Sequence, residues 1–145
     1  MKKLLLILAL SFSLPVFAAK QKEGVTYEAQ ILKVSDGDTI VIAAPYLPAP
    51  LKPQLSVRIY GVDTPEKGHR AQCEKEAKMG EQASLFTKNM VTTGKQFYVV
   101  LYGWDKFGGR VLGDILVDGN SVRNSLIGAG LAREYYGEAK QSWCN

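Results

Sequence analysis

One histidine and two cysteines in 145 residues remove several kinds of chemistry at the outset. A serine–histidine triad or a histidine-based nuclease has only His69 to draw on, in a Lys67-Gly68-His69-Arg70 stretch that reads as surface loop. Cys73 and Cys144 form no C-x-x-C pair, so a zinc site is poorly supplied. The longest apolar run, Leu4 to Phe12 broken only by Ser11, is too short to stay across a bilayer. Neither sign of charge dominates: the formal net charge is +4, which permits a polyanionic partner without demanding one. Proline is scarce except between Pro45 and Pro53, where four of the six lie, so that segment reads as a stiff loop unable to pair along its length. Internal repeats and low-complexity segments are lacking as well.

The N-terminal run has its own reading. Lys2 and Lys3 precede the apolar stretch, and Val16-Phe17-Ala18 ends it in the pattern that signal peptidase cuts. Residues 1–18 are therefore expected to be a signal peptide and residues 19–145 one domain, with no membrane span after cleavage. A retained membrane anchor is the alternative. Without the two leading lysines, 16 basic residues face 14 acidic ones, so any grip on a polyanion must come from placed side chains. Export places the protein in a periplasm or outside the cell, and there a Cys73–Cys144 disulfide is the natural expectation. It would staple the C-terminus onto the body, with two buried free thiols as the alternative.

Hydrophobic periodicity outlines the domain. Val25, Tyr27, Ala29 and Ile31 alternate with polar residues as in a half-buried strand. Further strands are expected at Thr39–Ala43, at Leu55–Ile59, at Phe97–Tyr102 and at Arg110–Val117. The spacing of Met79, Ala83, Phe86 and Met90 predicts one packed face of a helix over about Gln72–Met90. Asp118-Gly119 makes a turn, Asn120 or Ser121 can cap a second helix that Gly130 ends, and a third is expected from Arg133 to about Ser142. Five strands with a helix between the third and fourth suit a small closed barrel of the OB type, although pattern alone leaves several α+β folds open.

Three clusters carry chemistry. Asp36-Gly37-Asp38-Thr39 sets two carboxylates on alternate residues, suited to a hard cation such as calcium. An EF-hand is excluded by Ile40 and Val41 at the fifth and sixth loop positions. The second cluster, Arg58 to Glu66, delivers an arginine on a strand that ends in a turn holding Asp63 and Glu66. Pro65 there forces Thr64 into an extended geometry able to aim its carbonyl outward. The third is Asp105-Lys106-Phe107-Gly108-Gly109-Arg110, where paired glycines let backbone approach a ligand and arginine's planar fork matches phosphate oxygens. Singly, each also reads as an ordinary turn or strand end.

Together, in this order, they resemble the staphylococcal nuclease (thermonuclease) family. The similarity runs from about Tyr27 to Tyr136 and covers V-S-D-G-D-T-I, R-I-Y-G-V-D-T-P-E, the helix segment Gly80 to Val91, D-K-F-G-G-R, and G-A-G-L-A from Gly128. The resemblance implies an OB barrel, α+β and mainly β, with about three appended helices. It implies a monomeric calcium-dependent phosphodiesterase acting on DNA and RNA and leaving 3′-phosphate ends. Asp38, Asp63 and the Thr64 backbone carbonyl match the family's calcium ligands, and Asp36 a supporting carboxylate. Glu66 matches the residue proposed to activate water, and Arg58 and Arg110 the arginines that grip the scissile phosphate. Phe107, Tyr135 and Tyr136 are candidates for stacking on bases, each equally readable as structural. The chain departs from the family pattern in the long Pro45–Pro53 loop, in the extra Gly109, and in a short C-terminus ending Trp143-Cys144-Asn145. A non-catalytic OB-type nucleic-acid-binding module is the alternative.

Overall fold

The computed structural model describes residues 23–145; the signal peptide expected at residues 1–18 lies outside them. The first expected strand is two. β1 (Val25–Glu28) pairs antiparallel with β6 (Phe97–Trp104), and β2 (Ile31–Asp36) pairs antiparallel with β3 (Thr39–Ala43). The bend between them keeps its bonds on both sides: the Ala29 N–H donates to the Phe97 carbonyl and the Ala43 N–H to the Gln30 carbonyl, each at 2.9 Å. Val25 and Tyr27 alternate as expected yet remain more than half exposed, because β1 has a neighbour on only one side.

From β3 the path runs to β4 (Gln54–Ile59), then in parallel to β7 (Val111–Val117), and from β7 back to β6. Counting the bent β1–β2 ribbon once gives five strands in a closed circuit, the OB-type barrel expected from the sequence. Its core is β-branched and aliphatic: Ile40, Val57, Ile59, Val99, Ile115 and Leu126 are almost wholly buried. Two short ladders lie outside the circuit. β8 (Asn120–Ser121) pairs with β7, and β5 (Val62–Asp63) pairs with β9 (Arg133–Glu134).

Among the described residues the α-helices number two, with a 3₁₀ turn at Gly68–Arg70. α1 (Glu74–Thr93) starts at Cys73, whose sulfur accepts from the Glu76 N–H. α2 (Val122–Gly128) is capped by the Ser121 hydroxyl, which accepts from the Asn124 N–H, and Gly130 takes a left-handed conformation just beyond its end. The third helix expected over Arg133–Ser142 does not form. β9 takes its start into a ladder, and the remainder is a strap tied down by long-range bonds, including a Cys73–Cys144 disulfide with Cα atoms 6.0 Å apart.

α1 buries most of the face expected of it. Ala83 is wholly buried in the core and Phe86 and Met90 pack against it, while Met79 is half-buried. Glu76, Gly80, Ser84 and Thr87 are buried as well and form a small, polar edge of the helix that backs two loops. Thr87 donates its hydroxyl to the Gly37 carbonyl at 2.7 Å. A Cβ added at Gly80 would come within 2.4 Å of the Glu66 carbonyl oxygen, so only glycine permits that approach.

Candidate active site

The two loops that α1 backs are those of the first two sequence clusters, and they meet over the open end of β4. Asp36, Asp38, Arg58, Thr64, Glu66 and Arg110 line one cavity of about 40 Å³, enough for a small ion or a water molecule or two. Three chain segments far apart in sequence thus contribute to one wall, as the sequence reading required.

Asp38 is buried and held by side chains of β3, of β4 and of the segment just beyond β5. Its Oδ1 accepts from the Thr39 hydroxyl at 3.1 Å and from Arg58 at 3.2 Å, and its Oδ2 accepts from the Thr64 hydroxyl at 2.9 Å. A second Arg58 nitrogen stands 3.0 Å from Oδ2, making the pair two-pronged. Arg58 reaches it because the Thr39↔Arg58 pairing of β3 and β4 sets the arginine beside the D-G-D-T turn.

Asp36 lies opposite, paired with Lys67 at 3.1 Å and Arg70 at 3.2 Å. Burial alone would raise its pKa, but the hydrogen bonds and charges of Lys67 and Arg70 outweigh that and hold it below the ordinary carboxylate value. Glu66 is more open, with 39% of its side chain exposed and its Oε2 3.4 Å from the Arg70 Nε. Its backbone N–H donates to Glu76 at 3.2 Å, and the other Glu76 oxygen accepts from the Gln72 N–H at 2.7 Å. That buried α1 carboxylate therefore pins both ends of the Glu66 loop. Arg110 follows a turn in which Gly108 and Gly109 both have φ near +70°, and its guanidinium is clamped by Asp105 at 2.7 Å. The extra glycine leaves Arg110 on the cavity wall.

Asp63 is placed differently. It lines a neighbouring cavity of about 270 Å³ that shares Thr64, Glu66 and Arg70 with the first and is otherwise walled by α1 and the C-terminal strap. The stacking candidates line neither cavity. Phe107 is 79% exposed at the tip of the β6–β7 hairpin. Tyr136 is half exposed and packs edge-on against Tyr60 at 5.7 Å, and Tyr135 lies under the Lys140 ammonium at 5.5 Å.

Sequence reasoning missed Lys67, Arg70, Glu76 and Gly80. A third arginine four residues after Glu66 was a readable signal. Glu76 was not, because an acidic residue in a helix's first turn is ordinary there.

The donor chemistry suits a hard divalent cation: the lining residues bring three carboxylates and the Thr64 hydroxyl, with no imidazole or thiol. Among the described residues, however, no three acidic, histidine or cysteine side chains gather as one ready cluster. The Asp63 carboxylate is engaged by the strap instead of turned to Asp38.

A five-stranded barrel of OB type with carboxylates and arginines gathered at one end defines a class, and comparison with known proteins places the chain within it. The family described as staphylococcal nuclease homologue matches residues 56–143. The chain belongs to that family. Endonuclease YhcR of Bacillus subtilis (strain 168) is 30% identical over 115 residues, 76% of this chain but 9% of that protein. This chain thus spans less than a tenth of the length of that relative. Nucleases of the family are generally metal-dependent.

Proposed function

We propose that this chain is a nuclease that hydrolyses phosphodiester bonds of DNA and RNA with calcium as cofactor and leaves 3′-phosphate ends. The observation that carries the reading is the meeting of Arg58, Arg110 and Glu66 around one small cavity floored by buried Asp38. Asp38, Asp63 and the Thr64 backbone carbonyl would hold the ion, Asp63 by exchanging its present strap partner for it, with Asp36 in support from the cavity wall.

The chemistry of the residues follows from their placement. Arg58 and Arg110 bind the phosphate, and their fixed charges stabilise the negative charge that builds on its oxygens during attack. Asp38 keeps Arg58 oriented, and Asp105 does the same for Arg110, so neither guanidinium must be ordered at the moment of reaction. Glu66, the most exposed carboxylate on the wall, takes the proton from the attacking water. The water oxygen bonds to phosphorus, the bond to the 5′ oxygen breaks, and that oxygen leaves as a hydroxyl after taking up a proton. Calcium bound at these oxygens would add positive charge beside the phosphate.

The disulfide fits an oxidising compartment, and no described helix is long and apolar enough to cross a membrane. We take the chain to act after export, in a periplasm or outside the cell, as a monomer. Digestion of labelled DNA and RNA by Glu66→Gln and Arg110→Ala, with end-group analysis, tests the assignment. Each variant should lose about 10²–10³-fold in rate. Near wild-type cleavage by Glu66→Gln would remove that residue as the base, and 5′-phosphate ends would overturn the direction of bond breaking.

A further inference from the structure

Asp63 is as buried as Asp38, at 5% and 3% exposure, yet no barrel side chain is seen to bond its carboxylate. Its partners come from the last residues of the chain. The β5–β9 ladder sets Asp63 opposite Arg133. The Arg133 guanidinium lies 3.8 Å over the Trp143 ring and donates to the carbonyls of Gln141 at 3.3 Å and Ser142 at 2.9 Å. Trp143, 6% exposed, then directs its indole N–H to Asp63 Oδ2 at 3.0 Å. One residue later, Cys144 is bonded to Cys73 at the start of α1. The indole is thus fixed from below by Arg133 and from beyond by the disulfide.

An indole N–H is a single donor in a fixed direction with no charge of its own. It can orient one carboxylate oxygen while leaving the negative charge for a cation at the other. Here the Lys140 ammonium stands 2.6 Å from Oδ1, on a side chain 49% exposed. A buried carboxylate without a cation is costly, so some positive group must stand there. A half-exposed lysine can leave at small cost, because its ammonium regains water.

We propose that Trp143 is a positioning residue for Asp63, and that Lys140 is the exchangeable occupant of the oxygen at which a divalent cation binds. This rests on the reading above in which Asp63 is a cation ligand. The two residues then act in opposite directions: the indole prepares the ligand and the ammonium competes for it.

Calorimetric titration of the purified protein with calcium, without substrate, separates these roles. Trp143→Phe keeps a ring under Arg133 and deletes the N–H; it should weaken calcium binding about tenfold, the usual effect of losing a partner that orients a ligand. Lys140→Gln should bind calcium several-fold more tightly. The calcium concentration for half-maximal DNA cleavage should shift in the same two directions. A merely structural strap would lower the melting temperature in both variants without moving affinity in opposite senses. Asp63→Asn is the control for the underlying reading. Should it weaken binding while Trp143→Phe and Lys140→Gln leave affinity unchanged, the strap has no positioning role and the proposal falls alone. Should Asp63→Asn also bind as the wild type does, Asp63 is no ligand and both fall.

Discussion

Asp38 and Asp63 are both buried, both proposed above as ligands of the cation, and secured by different parts of the molecule. Asp38 is secured within the barrel: Thr39 is its neighbour, and Arg58 and Thr64 follow on β4 and just beyond β5. Asp63 is secured by Trp143, 80 residues away, and by Lys140. The barrel side of the site is therefore as stable as the sheet that carries it. The strap side depends on a single covalent anchor and on the last residues of the chain. One end of the site is thus built by the barrel and its adjoining loop, and the other by the C-terminal strap.

Arg58→Ala should break the barrel side most severely. It removes a guanidinium proposed above to bind phosphate and takes from Asp38 its only ion-pair partner among the described residues. Cleavage should fall by about 10³-fold, and urea unfolding should show a loss of about 1–3 kcal/mol. The converse change, Cys73→Ser with Cys144→Ser, frees the strap. It should cost about 4 kcal/mol for a closed loop of 71 residues. Serine at position 73 preserves the helix cap, so the loss reports the tether rather than α1. If unfolding free energies of the double variant and wild type agree, the strap holds without its anchor.

A smaller effect is expected at the boundary between the two regions. Gly80→Ala pushes a Cβ against the Glu66 carbonyl, displacing the loop that both cavities share. A shift of this kind should lower kcat by about 10–100-fold while KM changes little, as steady-state kinetics will show.

The smallest effect belongs to another buried carboxylate, Asp114 on β7, which is hydrogen-bonded only by uncharged donors. The Ser121 hydroxyl donates to it, as do the Ile115 and Arg123 backbone N–H groups. Burial raises its pKa, with these bonds partly opposing the rise. A raised carboxylate pKa means the folded state holds a proton the unfolded state has lost. This contribution to stability is therefore greatest in acid and declines as pH rises through the folded pKa. Asp114→Asn should remove the decline: its stability relative to wild type should improve by about 1 kcal/mol from pH 4 to pH 7, read from melting curves.

This contrast also explains what could be read from the sequence. The D-G-D-T turn and the Arg58–Glu66 stretch carry their chemistry in short motifs, and the resemblance those motifs carry, more than alternation within the strands, pointed to the barrel that brings them together. The bend at Ala29–Gln30 was not legible, because one alternating run serves both halves of a bent strand. Nor was the polar edge of α1: the apolar stripe through Ala83, Phe86 and Met90 meets the core as its spacing predicts, but the burial of Glu76, Gly80, Ser84 and Thr87 against the adjoining loops has no such signal. The strap eluded the helix assignment because Arg133–Ser142 is helix-compatible locally and is overruled by a ladder to β5, an indole on Asp63 and a disulfide. Contacts made across such a separation by single residues leave no periodicity to read.

The most direct test of the central claim is digestion of single-stranded DNA by the purified chain in calcium, and again after the calcium is removed with a chelator. The account predicts rapid cleavage to 3′-phosphate ends with calcium, loss of cleavage on chelation, and full recovery when calcium is restored. Cleavage that continues at the same rate under chelation would contradict it.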